Sequence, residues 1–158
     1  MKRKIVVLVA GAVGALVLGG GVVLAAASGF TATLLFPKST ISKATEISAN
    51  HIEFSSPKNA QVFNQVGTFE IGGNTGWHTH PGLTVVSVTA GTLRYHDGCK
   101  STDYTVGQSF VETPNSPGMV ENIGSDATAQ VYATLIVPAG MLPRTDVPAP
   151  NCTKRADD

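Results

Sequence analysis

Past residue 27 the apolar positions come in short bursts, separated by Gly, Pro and small polar residues. "FTATLLF" (30–36) reads as a strand, and "HIEF" (51–54) as a brief one. "AQVFNQVGTFEI" (60–71) is long and carries a Gly67 that is expected to mark a bulge. "GGNTG" (72–76) reads as a loop, and "LTVVSVT" (83–89) is a β-branched run. "AG" (90–91) suits a two-residue hairpin turn, so "TLRYH" (92–96) is expected to pair back on the run before it. "SFVE" (109–112), "MVENI" (119–123) and "AQVYATLIV" (129–137) follow as strands. The Pro-rich "PAGMLPRTDVPAPN" is expected to lie across the domain as an extended tail. No stretch after the first 27 residues shows a 3.6-residue period over a helix length. Short strands with Gly/Pro turns predict an all-β barrel or sandwich in one domain.

The first 27 residues differ in kind. "MKRK" is basic, and residues 5–27 are uncharged and apolar, ending in "AAA" before Ser28. This is the pattern of an export signal, with small residues where cleavage occurs. The apolar run is also long enough to cross a bilayer as a helix, so a retained single-pass anchor is the alternative. The predicted organisation is a signal peptide or anchor over 1–27 and a β-domain over 28–153. Both alternatives place the domain outside the cytoplasm, either secreted or held at the membrane through residues 5–27.

Charge narrows the range of partners. The chain has 11 Lys+Arg and 11 Asp+Glu. Lys2, Arg3 and Lys4 supply three of the basic residues, so the remainder is slightly acidic. No later basic cluster offers a nucleic-acid surface. A small-molecule ligand is the expected partner, a membrane only if residues 1–27 are retained, and a homodimer is compatible with these features. Cys99 and Cys152 are the only cysteines. In an exported chain they are expected to form one disulfide, tying the turn "HDGCK" to the tail. Closing a loop of about 50 residues is worth roughly 3–4 kcal/mol in the entropic treatment.

The chemistry concentrates in "GWHTHPG" (76–82). On a strand His78 and His80 share a face, and Trp77 and Thr79 take the other. Two imidazoles converging inside a barrel suit a divalent transition metal, whose identity the residues leave open. Structural zinc sites use four protein ligands and catalytic ones three.

The stretch resembles the first motif of the cupin family, G-x5-H-x-H-x3,4-E-x6-G. Gly72, His78, His80 and Gly91 fall in register, with Thr84 at the glutamate position. The resemblance covers roughly residues 60–137 and implies a cupin jelly-roll β-barrel behind the N-terminal hydrophobic helix. In the family's second motif, Gly107 and Pro114 match with a one-residue slip and Asn122 fits the closing asparagine. Gly118 stands where the family's histidine is expected, and no histidine follows His96. The family's metal is held by the two histidines, the glutamate and that third histidine, so this chain keeps two of four.

Replacements are few. Thr84 offers a neutral hydroxyl. Glu112 ends a strand near the expected barrel mouth and is a minor candidate to reach in, outside the expected metal set, whereas Glu121 faces outward if Asn122 faces inward. His96 is expected in an exposed turn beside Asp97, with Leu93 and Tyr95 on the core face, and His51 at a surface or strand end. Trp77 either packs outside the barrel or lines a pocket rim. Phe110, Val86, Val88, Val120, Tyr132 and Thr134 are expected to wall the pocket. The functional expectation is an exported small-molecule-binding protein that uses His78, His80 and Thr84, with a divalent metal held weakly by the incomplete pair His78 and His80. The alternative is a metal-dependent enzyme of the oxygenase or isomerase type, its catalytic residues unassigned.

Overall fold

The computed structural model describes residues 26–152. The expected signal or anchor segment lies outside these residues except for Ala26 and Ala27. No helix among the described residues is long and apolar enough to cross a membrane. The fold is all-β, with thirteen strands. These are β1 (Ser28–Leu34), β2 (Ser39–Ile41), β3 (Thr45–Ala49), β4 (Ile52–Ser56), β5 (Ala60–Asn74), β6 (His78–Thr79) and β7 (Leu83–Ala90). Then come β8 (Thr92–Asp97), β9 (Lys100–Thr105), β10 (Ser109–Glu112), β11 (Gly118–Asn122), β12 (Ala129–Val137) and β13 (Thr145–Asp146).

Eleven of these strands wrap into a nearly closed barrel, all neighbours antiparallel, and β3 and β4 pair with each other as a separate two-stranded sheet. One wall runs β10-β7-β12-β5, with β1 and β2 on the far edge of β5. The other runs β9-β8-β11-β6-β13. The walls join where Asn74 of β5 meets Glu121 of β11. Alternation decides what faces in. Ala129, Val131, Ala133, Leu135 and Val137 of β12 are buried, as are Val86 and Val88 of β7, Leu93 and Tyr95 of β8, and Val120 of β11. Tyr95 stacks on Phe110, and Phe30 packs on Phe69, each pair with ring centroids 4.7 Å apart.

Several expectations change. β7 and β8 do not form a hairpin: β7 pairs with β10 and β12, and β8 with β9 and β11. Ala90-Gly91 turns the chain from one wall to the other, and a side chain at Gly91 would meet Ala129 Cβ at 2.6 Å. Gly67 sits in unbroken register with both β1 and β12. It is glycine because a Cβ there would come within 2.9 Å of Val131 and 3.0 Å of Phe30. The irregularity lies further along: Phe30 pairs with Phe69 but Ser28 with Asn74. Gly72 takes a positive φ of 69° in that bulge, so the expected 72–76 loop is in part strand. On β12 the inward residues are Val131, Ala133 and Leu135, and Tyr132 is exposed. The expected Tyr132 and Thr134 are therefore one residue out of phase. β9, "KSTDYT", is an outer strand with little burial and so carries no apolar alternation to read.

The disulfide is present. Cys99, in the β8–β9 turn, bonds Cys152 with Cα atoms 5.4 Å apart, across 53 residues of sequence. It fastens the Pro-rich tail over the end of the barrel that holds the histidine pair.

Candidate metal centre

β6 is only two residues long but is held on every side. Thr75 leads into it, exchanging bonds with Val120 of β11: the Thr75 and Val120 amides each donate at 2.9 Å, to the Val120 carbonyl and the Thr75 hydroxyl. Asn74 Oδ1 accepts from the Gly76 amide at 2.9 Å. Beyond the strand, the Asn115 amide donates to the His80 carbonyl at 2.8 Å. On the outer side β13 pairs with β6, and the Val147 amide donates to the Trp77 carbonyl at 3.0 Å. The two imidazoles are thus mounted on fixed backbone. His78 is 3% and His80 7% exposed.

Their tautomers follow from what each Nδ1 touches. His78 Nδ1 lies 2.9 Å from the Gly76 carbonyl oxygen, and His80 Nδ1 lies against that of Pro143. A carbonyl only accepts, so each Nδ1 carries a proton and each Nε2 is turned toward the other ring and Glu112. Those two Nε2 atoms are 3.1 Å apart. Glu112 completes the cluster, with Oε2 at 2.8 Å from His80 Nε2 and 3.7 Å from His78 Nε2. Burial alone raises the Glu112 carboxyl pKa. Hydrogen bonding and charge from the two imidazoles outweigh it and hold the group at about 2, so Glu112 is a carboxylate.

Two Nε2 atoms and a carboxylate therefore meet in one small volume, an arrangement that a shared cation, proton or metal ion, makes favourable. Donors each about 2.1 Å from an ion sit roughly 3.0–3.4 Å apart in tetrahedral or octahedral geometry. The observed separations bracket that range. His78, His80 and Glu112 are the group of buried side chains that fits a metal among the described residues. Two imidazoles and a carboxylate suit zinc, iron, manganese, cobalt or nickel.

The sequence placed Glu112 at a strand end within reach, yet the expected set held only the two histidines. The carboxylate does arrive, and by a specific route. Glu112 on β10 is the register partner of Thr84 on β7. The carboxylate missing at position 84 is supplied from directly across the sheet. The histidine position at Gly118 is different. Gly118 is the register partner of His78, and a Cβ there would meet the Tyr95 ring at 3.1 Å. Any side chain at 118 therefore crowds the Tyr95 ring.

Thr84 is 2% exposed, and its hydroxyl is the buried side-chain polar atom without a partner among the described residues. It lines the same cavity as the three ligands. The cavity is about 250 Å3, walled by Phe30, Ala32, Phe69, Val86, Val120, Val131, Ala133 and Leu135, with Pro143 and Arg144 of the tail at its rim. Of the expected wall residues, Val86 and Val120 are there. Phe110 and Val88 are buried in the core beside it.

The other histidines stay away. His96 is half-buried rather than exposed: its Nε2 is 3.0 Å from Glu121 on the neighbouring strand, and its ring lies 5.8 Å from Trp77. This is the outer face, so Trp77 packs outside the barrel. His51 is exposed in the β3–β4 turn with a positive φ of 65°. Asn122 faces inward and is spent on backbone. Its Nδ2 donates to the Glu70 and Ala127 carbonyls at 3.0 Å, and its Oδ1 accepts from the Gly124 amide.

No family model and no curated protein matches the chain. Among solved structures it is similar to a cupin superfamily protein from Desulfitobacterium hafniense. Identity is 8% and the TM-score 0.51, over 68% of this chain and 77% of that one. A cupin 2 conserved barrel domain protein from Leptotrichia buccalis aligns at 19% identity and TM-score 0.49, over 68% of this chain and 40% of that one. Identity this low speaks to architecture alone.

Proposed function

The chain has the cupin fold, and from it we propose that the protein binds one divalent metal ion through His78, His80 and Glu112 and receives a small molecule in the cavity beside it. One observation carries this reading. Both imidazoles are locked by backbone carbonyls into the tautomer that aims Nε2 at Glu112, within ligand-sharing distance. Three atoms of ligand type then meet in one small buried volume. The proposed setting is extracytoplasmic, by secretion or through a retained anchor. It is supported by the basic and apolar N-terminus and by the Cys99–Cys152 pair.

A metal-dependent enzyme of the oxygenase or isomerase type is the second reading. Three protein ligands leave coordination positions open toward the cavity, as catalytic sites do. The protein's part in either reading is to hold the ion, keep the imidazoles deprotonated at Nε2, and exclude bulk water with apolar walls.

The full chain, stripped with chelator and titrated calorimetrically with Zn2+, Co2+, Mn2+ and Ni2+, is expected to take up one ion. His78→Ala and Glu112→Gln are each expected to weaken uptake about a hundredfold or more. Undiminished affinity in both variants, or no uptake by the wild type, would overturn the proposal. Turnover of a substrate by the loaded protein would decide for the enzyme.

A further inference from the structure

Thr84 and Arg144 both line the cavity, and together they say what enters it. Thr84 Oγ1 is buried against the cavity with nothing to donate to. A buried hydroxyl without a partner is costly unless something in the cavity accepts its proton. Arg144 is fixed at the rim. Its Nη2 donates to the Thr75 carbonyl at 2.6 Å, and Asp146 Oδ1 accepts from Nε at 2.7 Å and lies 2.6 Å from Nη2. These bonds orient the guanidinium without using its Nη1. Gln65 adds one further polar side chain to the lining, and the rest of the walls is mostly apolar, with Phe30, Val120, Val131, Ala133 and Leu135.

The charge count gives the sign of the ligand. Glu112 and Asp146 are negative, Arg144 is positive, and the two histidines are neutral as ligands. A divalent ion brings the sum to about plus one, which favours a single negative charge on the guest. Size follows by proportion. A 150 Å3 apolar cavity takes up benzene, so about 250 Å3 suits a guest of roughly ten non-hydrogen atoms.

Resting on the metal-binding reading above, we infer that the cavity takes a small monocarboxylate with a compact apolar body. Its carboxylate accepts from Thr84 and Arg144 beside the His78–His80–Glu112 centre. Arg144 and Thr84 are then the residues that set specificity for an acid over its neutral counterpart.

The test uses the full chain, metal-loaded and with its stoichiometry measured on the same sample, titrated with phenylacetate and with 2-phenylethanol. The wild type is expected to prefer the acid at least tenfold. Arg144→Gln is expected to reduce that preference by about tenfold, and the near-isosteric Thr84→Val by several-fold. The preference is a ratio within one protein, so a variant with a lower folded fraction still reports it. Equal binding of acid and alcohol by the loaded wild type overturns the inference and leaves the metal reading standing. So does an acid preference untouched in both variants. If the wild type takes up no metal, the metal reading falls and this inference falls with it.

Discussion

Glu112 and Thr84 show how two side chains can exchange roles across a sheet. A β-ladder places register partners within reach on the same face, so a carboxylate lost from β7 can be regained from β10. Thr84 is small enough to leave room for Glu112 and is left with an unpaired hydroxyl. Replacing that hydroxyl by a methyl removes a buried polar group at constant shape. Thr84→Val is therefore expected to stabilise the metal-free protein by about 1–2 kcal/mol, read from the urea midpoint. No gain, or a loss, would show that the hydroxyl already has a partner. Gly118 makes the opposite case. Gly118→His would restore the family's fourth ligand on paper, but its Cβ meets Tyr95 at 3.1 Å. The variant is expected to lose about 1–3 kcal/mol, and less than that when the same change is made in a Tyr95→Ala background. An unimpaired single variant would refute the steric account.

Among the elements, the C-terminal tail has the greatest effect for the least secondary structure. Its two-residue strand β13 pairs with β6, the Pro143 carbonyl sets the His80 tautomer, and Cys152 anchors the end to Cys99. Few of its residues are buried, so the covalent anchor bears much of the load. Closing a 53-residue separation is worth about 4 kcal/mol in the entropic treatment. Cys99→Ala/Cys152→Ala is expected to lose roughly that much, measured by chemical denaturation. It should also bind metal more weakly, because His80 loses its fixed acceptor. If the double variant holds metal as tightly as wild type, the tail is not what orients His80.

For the molecule as a whole, burial couples stability to alkaline pH through Tyr95. Burial first, and then the nearby Glu112 carboxylate, push its phenol up to about 12 from an ordinary value of 10. A folded-state pKa above the unfolded one means the unfolded chain gives up its proton first. The contribution is thus complete below pH 10 and is lost as pH rises from 10 through 12. Its full size is at most about 3 kcal/mol. Tyr95→Phe should show a flatter fall in stability over that window. An identical slope in both proteins would mean Tyr95 ionises as readily folded as unfolded.

The apolar bursts and turns were enough to determine an all-β domain, barrel or sandwich, with His78 and His80 on one face, and the spacing of Gly72, His78, His80 and Gly91 carried the resemblance that implied the barrel. These features are local: strand alternation and turn chemistry are written in adjacent residues. The cysteine count likewise anticipated the Cys99–Cys152 bond. Pairing between distant strands was decided only by the tertiary structure. Ala90-Gly91 has the chemistry of a hairpin turn, yet it carries the chain to the other wall because β10 and β12 take both edges of β7. Tyr132 and Thr134 looked as apt for the wall as Val131 and Ala133, since β12 is β-branched and apolar almost throughout and its phase is set by register with β5. Glu112 was visible as a strand-end acid, 28 residues beyond Thr84. Only the β7–β10 ladder sets it opposite Thr84 and against the His80 ring, and with it the difference between an incomplete pair and a three-ligand centre.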